Sequence, residues 1–541
     1  MKSINKIYNC IIFSLVLFML TGACTKLEDR NFSQLVSSSF KPSDGDIVAL
    51  IGSAYVSWQR LWESQEATRY TQELCSDEMI IPKRPNGWLD GGRFRGMFMH
   101  TWNVYNPYLL NVWRRGYTGI TNTNRVIFQI ESDIIPIKEN KENIIAEMKV
   151  LRASFYYILC DLYGNVPIVT QFDVPEGYLP DQNTRKEVYD FIISELTQAL
   201  PLLSEEVNTS TYGRFNKWGT YALLAKMYLN AEVFTGIASW DNCIAACDAV
   251  INSGNYILEP VRKSVFLAQN QNSKETIFAI PYDEKYARST SRSNMVSLQP
   301  VSQATYNMQG TPWGGICAVP QFIDTYDTDD LRLKDDWLQG PQYSSSGERL
   351  IGSMDLQGEP FSYLNDVPSI DFSTEMSGYR EGKMEYEMGL QNAMNNDSPL
   401  LRYADVLMMK AEALLRTNRA NEAAVIVSSV RERAFPNNPE KATVTGSDLQ
   451  KGSSYKYGLK DSLYGWDTNE GGDDIQFGRF LDEIGWEFAQ EGHRRPDLIR
   501  FGVFTTKSWS SRSPNGEYRE LFCIPQEEID KNPKLKQNPG Y

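Results

Sequence analysis

Apolar positions along this chain fall mostly at helical spacing. Between 147 and 162, Leu151, Phe155, Ile158, Leu159 and Leu162 recur every three or four residues, and the turn-forming run Tyr163-Gly-Asn-Val-Pro167 follows. That pattern predicts one amphipathic helix with a sharp stop. Thr184 and Glu187 have the spacing of a capping box, so a further helix is expected to start there and run through Leu196. Segments 218–230 and 240–251 form a predicted helix pair, with Ala222, Ala225 and Tyr228 on the first and Ala245, Ala246 and Ala249 on the second. Small side chains at such positions let two helices approach closely. A second pair is predicted at 403–416 and 421–434, where Leu407, Ala411, Leu414 and Leu415 face Ala423, Ala424, Val427 and Val430.

Each pair is similar to a tetratricopeptide unit, yet their separation far exceeds the usual repeat of about 34 residues. Something is inserted between them. The stretch 282–396 is rich in Gly, Ser, Pro and Asn and contains Gln309-Gly-Thr-Pro-Trp-Gly-Gly-Ile316 and Ser377-Gly-Tyr-Arg-Glu-Gly382. Long irregular segments inside a folded chain usually carry function.

The N-terminus has a different pattern. Lys2 and Lys6 precede an uncharged apolar run at 10–20, and Thr21-Gly-Ala-Cys24 places small residues before a cysteine. A bilayer core of about 30 Å needs roughly 20 apolar residues, so the run is expected to be a secretory leader, residues 1–23. Cys24 is then a lipidation candidate, although Thr21 stands where such sites usually carry Leu. Polar residues 24–40 would serve as a tether, leaving 41–541 as one domain with its loop-rich insertion.

Charge and cysteine content narrow the function classes. With 54 basic and 68 acidic residues the net charge is -14, which disfavours nucleic acid as a partner. Aromatic residues make up 12% of the chain, which suits a surface that stacks on ligands. Cys75, Cys160, Cys243, Cys247, Cys317 and Cys523 are scattered and form no disulfide framework. Cys243 and Cys247 are one helical turn apart, but no histidine lies near them, so they are expected to be buried apolar residues. His100 and His493 are the only two histidines, which removes most zinc sites, and no metal or cofactor is expected. The acidic run at 467–474 begins like a calcium loop but has Gly471 and Gly478 where ligands are needed, and 324–330 lacks the glycine and the closing glutamate.

Four blocks carry a family resemblance. They are Val150-Leu-Arg-Ala-Ser-Phe-Tyr-Tyr-Ile-Leu-Cys-Asp-Leu-Tyr-Gly-Asn-Val-Pro-Ile-Val169, Pro399-Leu-Leu-Arg-Tyr-Ala-Asp405, Phe488-Ala-Gln-Glu-Gly-His-Arg-Arg-Pro-Asp-Leu-Ile-Arg-Phe-Gly502 and the closing segment 521–541. In this order they resemble the SusD/RagB family of outer-membrane nutrient-binding lipoproteins. In the third block, Gly492 suits a left-handed helix end, Pro496 a first helical position and Gly502 a second helix end, while 521–524 has the look of a short strand. The resemblance implies a mainly α fold, a tetratricopeptide-like helix-pair scaffold with a loop-rich ligand-binding insertion. It also implies a lipid-anchored, cell-surface, non-enzymatic glycan-binding protein of the outer membrane, with a SusC-type TonB-dependent transporter as partner.

Candidate ligand contacts follow from residues in Gly- and Pro-rich loops. Trp88, in Arg84-Pro-Asn-Gly-Trp-Leu-Asp-Gly-Gly92, and Trp313, in Pro312-Trp-Gly-Gly315, have no helical stripe to bury them and can lie against sugar rings. Tyr379 offers another aromatic face and Arg380 a planar donor fork, and Arg93 and Asp77 are expected to hydrogen-bond sugar hydroxyls. Lys83, Arg84, Arg93 and Arg95 face Asp90 alone between 82 and 95, which opens the possibility of acidic sugars beside a neutral polysaccharide. Trp102, Trp113, Trp218 and Trp240 are expected to be packing residues. Three other readings remain open at this stage: a glycoside hydrolase, which needs only two carboxylates about 5–9 Å apart, a protein-interaction scaffold, and a peptide-binding RagB-like member.

Overall fold

The structure, a computed structural model, describes residues 42–63, 66–85, 87–283 and 292–541. The apolar leader, Cys24 and the tether lie outside the described residues. Five helices pack in succession: α1 (Pro107–Glu131), α2 (Lys141–Tyr163), α3 (Arg185–Ala199), α4 (Lys217–Leu229) and α5 (Trp240–Asn252). The predicted stripe of α2 is buried throughout. Gly116 and Gly119 let α1 lie close against it, since a Cβ at Gly119 would stand 2.7 Å from the Phe155 ring. The capping box of α3 forms as expected, with Thr184 N–H donating to Glu187 Oε2 at 2.8 Å and Glu187 N–H to Thr184 Oγ1 at 3.3 Å.

The two predicted helix pairs, distant in sequence, are neighbours in space. α6 (Tyr403–Arg416) docks on α5 and α4, and α7 (Ala420–Arg431) docks on α6, so the helical array continues across the insertion. Two strands make this possible. β1 (Thr276–Ile280) pairs antiparallel with β2 (Ser398–Arg402), from Thr276 opposite Arg402 to Ile280 opposite Ser398, and brings the two ends of the insertion together.

Within the insertion, short helices and two-residue strands surround small apolar clusters of their own, one around Met295, Leu298 and Tyr386 and another around Leu350, Phe361 and Tyr363. Charge ties this part to the scaffold. Arg332 bridges Asp330 (2.7 Å) and Glu483 (2.8 Å), and Arg262 holds Asp336 (2.7 Å), all buried. Glu483 and Glu487 lie on α8 (Gly478–Phe488), where Glu487 also meets Arg402 at 2.8 Å and Arg433 at 2.7 Å. Burial opposes ionisation of Glu487, but Arg433, Arg262, Arg402 and Arg332 outweigh it and hold the carboxyl well below the usual range. Asp330 is therefore a buried partner rather than part of an exposed acidic loop.

The closing block clamps the C-terminus onto the scaffold with two differences from expectation. Gly492 (φ 77) and Gly502 (φ 70) take the left-handed positions. Pro496 is the third residue of α9 (Arg494–Arg500) rather than the first; its missing N–H is still one of those a helix start leaves unpaired. Residues 521–524 join no sheet. They run extended, with Phe522 N–H donating to Leu162 O at 2.7 Å and Phe522, Cys523 and Ile524 fully buried. Cys243 and Cys247 are buried on α5, Trp102 and Trp113 are buried, and Trp218 and Trp240 pack half-buried on the scaffold.

Candidate functional site

Backbone conformation fixes where Trp88 points. Asp90, Gly91 and Gly92 have φ of 52°, 62° and 78°, a left-handed run that the two glycines adopt without strain and that Asp tolerates better than most residues, and it turns the Trp88 loop into the helix Arg93–Phe98. Trp88 N–H donates to Trp313 O at 3.2 Å, and the two indoles meet at 5.3 Å between centroids, inclined by 50°. Phe94 abuts Trp88 edge-on at 6.4 Å. Gly315 leaves room for this contact, because a Cβ there would come within 2.5 Å of the Trp88 ring. The two tryptophans that the sequence singles out, 225 positions apart by their numbers, thus form one half-buried pair.

Arg84 is the clamp behind the pair. Its guanidinium is buried and donates to Gly315 O (2.5 Å), Gly314 O (3.0 Å), Thr374 O (3.1 Å), Ser377 O (2.9 Å) and Cys317 Sγ (3.1 Å). Burial, with Arg380 nearby, pushes it down to about 10. This removes Arg84 from the cationic surface expected around Trp88. Arg95 is spoken for as well, holding Asp371 through two bonds of 2.8 and 2.6 Å. Lys83 and Arg93 remain exposed, and Arg93 stands beside Asp90 with its guanidinium 5.8 Å from the Tyr108 ring. Burial raises the Asp90 carboxyl to about 6, against the pull of the Tyr108 hydroxyl and Arg93.

Asp77 and Arg380 are core residues, which corrects their expected role as ligand contacts. The fully buried Asp77 carboxylate accepts from Arg494 at 2.6 and 2.9 Å and from the Tyr457 hydroxyl at 2.8 Å. Arg380 lies 5.0 Å over the Tyr363 ring and donates to Glu375 O at 3.2 Å, fully buried. Tyr379 is half-buried and packs against the cluster around Leu350, Phe361 and Tyr363; burial raises its hydroxyl, and the charge of Asp324 adds to the shift.

A second aromatic pair stands on a hairpin. β3 (Gly458–Asp461) and β4 (Trp466–Asp467) are antiparallel, and β5 (Trp509–Ser510) runs parallel to β3. At the tip, Tyr464 and Trp466 stack at 4.8 Å and 25° while remaining 48% and 40% exposed. Loop 368–373 joins this hairpin to the Trp88 loop. Tyr464 donates to Asp371 at 2.8 Å, Ser462 N–H to Pro368 O at 2.8 Å, and Lys83 N–H to Ile370 O at 2.8 Å. Phe372, at the crest of the loop, is 52% exposed. Beside the hairpin runs a groove of about 470 Å³ whose wall includes Asp324, Val367, Pro368, Lys456 and Trp466.

Residues 274–541 match the family model described as SusD family, and residues 35–229 match one described as starch-binding associating with outer membrane. The chain belongs to the SusD/RagB family. Among relatives, SusD-like protein P25 of Formosa agariphila is 22% identical over 99% of this chain and 100% of its own length. The starch-binding protein SusD of Bacteroides thetaiotaomicron is 26% identical over 73% of this chain and 72% of its own. Among solved structures, surface glycan-binding protein A from Bacteroides thetaiotaomicron in complex with laminarihexaose superposes with a TM-score of 0.69 at 17% identity, covering 92% of this chain and all of the other. A SusD superfamily protein from Parabacteroides distasonis gives 0.70 at 20% identity, over 94% and 100% of the two chains.

On this SusD/RagB scaffold the loop-built faces hold the half-exposed rings, the feature that separates ligand binding from a bare interaction scaffold. A wider groove of about 850 Å³ runs beside the helix Asp44–Tyr55, with Ile47, Val48 and Phe215 in its wall, and carries no stacked aromatic pair among its lining residues. The Tyr464–Trp466 pair is not legible from periodicity because strands this short leave no alternation to read. The signal that marks it is Leu463-Tyr-Gly-Trp466, aromatics flanking a glycine that the hairpin holds at φ 68.

Proposed function

We propose that this chain is a cell-surface binding protein that captures an oligosaccharide on the Trp88–Trp313 face and passes it to a SusC-type TonB-dependent transporter, held to the outer membrane by lipid on Cys24. The observation that carries the reading is the indole pair itself, brought together from two Gly-rich loops and left half-open. The starch-binding relative and the laminarihexaose complex of a protein of the same fold support a sugar as ligand. Binding proceeds without chemistry on the sugar, in keeping with the family.

Fully burying an indole removes about 150–250 Å². Covering roughly half of that at about 25 cal/mol per Å² stabilises a complex by about 2–3 kcal/mol per ring. Two rings and a few hydrogen bonds, less the cost of association, give dissociation constants between about micromolar and millimolar. Such affinity suits capture followed by release. With Arg84 buried, Arg95 paired to Asp371 and Arg93 set beside Asp90, the cations expected on this face are largely offset, which favours a neutral glycan over an acidic one even with Lys83 exposed. Calorimetric titration with laminarihexaose and maltohexaose, with product analysis, tests the proposal. Trp88→Ala should weaken binding by about 2–3 kcal/mol, and turnover of either sugar by the purified protein would overturn the binding-only reading.

A further inference from the structure

We infer that the Tyr464–Trp466 hairpin and its groove form a second carbohydrate subsite, which holds further uncharged pyranose units of the chain bound at Trp88 and Trp313. The inference rests on the sugar-binding function proposed above but on a different part of the molecule. Tyr464 and Trp466 expose large apolar faces at a hairpin tip, and neither ring belongs to an apolar cluster among the described residues. The fold therefore gains little from them as packing, while a sugar ring would remove their free face from water.

The platform is rigid. Asp371 is gripped by both Tyr464 and Arg95, and Asp461 accepts from Ser369 at 2.8 Å and from the Ser511 hydroxyl. A pre-organised surface loses little entropy when a ligand settles. The groove beside it, about 470 Å³, lies within the usual range of ligand sites. Its wall mixes carboxylates with ammonium groups, Asp324, Asp366, Asp461 and Asp467 against Lys456 and Lys460, so it offers acceptors and donors to hydroxyl groups and no positive field for an anion. Loop 368–373 fixes this surface relative to the Trp88 loop through Lys83–Ile370 and Arg95–Asp371, so one chain engaging both gains from the high effective concentration of the second contact.

The test uses the mature chain carrying Cys24→Ala for solubility and 5-fluorotryptophan as a reporter, titrated with laminarihexaose and separately with maltohexaose up to about 10 mM. Trp466→Phe assigns the Trp466 signal. At least one hexaose should shift the Trp466 signal together with those of Trp88 and Trp313, and in Trp88→Ala the Trp466 signal should still move. Trp466→Ala should weaken hexaose binding about tenfold or more, with Trp466→Phe retaining most of the affinity at an unchanged thermal midpoint. A static Trp466 signal while Trp88 and Trp313 respond would remove the second subsite and leave the first. Movement of Trp466 alone would support the subsite and sink the Trp88 reading, and no movement of any indole with either sugar would overturn both.

Discussion

Replacing Arg84 with Met should loosen the Trp88–Trp313 face without removing any group that touches a ligand. The side chain donates to four backbone carbonyls, two of them in the Trp313 loop and two at 374 and 377. Hydrogen bonds from a charged donor contribute about 1.5–3 kcal/mol each, so four amount to about 6 kcal/mol at the low end. Burial and the charge of Arg380 work against this: a guanidinium pushed down to about 10 from its usual 12.5 reflects an opposing cost of about 3 kcal/mol. The difference leaves a loss of about 3 kcal/mol on substitution, the cost of leaving buried carbonyls without their donor. Urea unfolding followed by tryptophan fluorescence measures that loss, and calorimetric titration with the hexaose that binds measures the loosened face, expected at about tenfold in affinity. Arg84→Lys should behave like Arg84→Met, because one ammonium cannot span the same carbonyls. Lost affinity at unchanged stability would mean that Arg84 contacts the sugar directly, and no change in either quantity would refute the clamp.

Asp77→Ala should destabilise the fold by about 3–5 kcal/mol by stranding the buried Arg494 charge, seen as a lower urea midpoint. Stability should also depend on pH through two opposed groups. Burial raises Glu73 to about 7, with the Gly492 N–H bond pulling the other way, so its contribution is present below the unfolded value of about 4.3 and is lost as pH rises through 7. Glu483, held at about 2 by Arg332, Arg431 and Arg479 against the effect of burial, contributes above about 4.3 and loses that contribution as pH falls toward 2. Glu73→Gln should therefore match the parent near pH 4 and exceed its stability by about 3 kcal/mol near pH 8; equal unfolding midpoints at the higher pH would contradict this. Cys24→Ala should move the protein out of the membrane fraction and abolish labelling by a fatty-acid probe, and unchanged fractionation would defeat the anchor.

Helices were legible where a stripe of apolar residues had to meet another helix, as at Leu151, Phe155 and Leu159, or where a local pair such as Thr184 and Glu187 makes its own bonds. Trp88 and Trp313 are legible as half-buried loop aromatics because no periodic pattern could bury them fully. The burial of Asp77, Arg84 and Arg380 is not legible in the sequence for one reason: a charged residue in a loop looks solvated until its partner is known. The partner of Asp77 is Arg494, 417 positions away, and the acceptors of Arg84 are carbonyls from 230 to 293 positions away. Tyr464 and Trp466 are not legible because strands as short as Trp466–Asp467 leave no alternation to read.

The β1–β2 pairing has a bearing on how such proteins diversify. It holds the two ends of the insertion at a fixed spacing set by ladder hydrogen bonds between Thr276 and Arg402, whatever lies between them. Closing a flexible segment costs only about 0.6 kcal/mol more for each doubling of its length. Lengthening, trimming or exchanging the intervening residues therefore leaves α5 and α6 free to meet as before, provided Arg332 and Asp336 keep their partners. Ligand preference can then drift through the Trp313 loop, which lies within the insertion, while the helical body and the Trp88 loop stay unaltered.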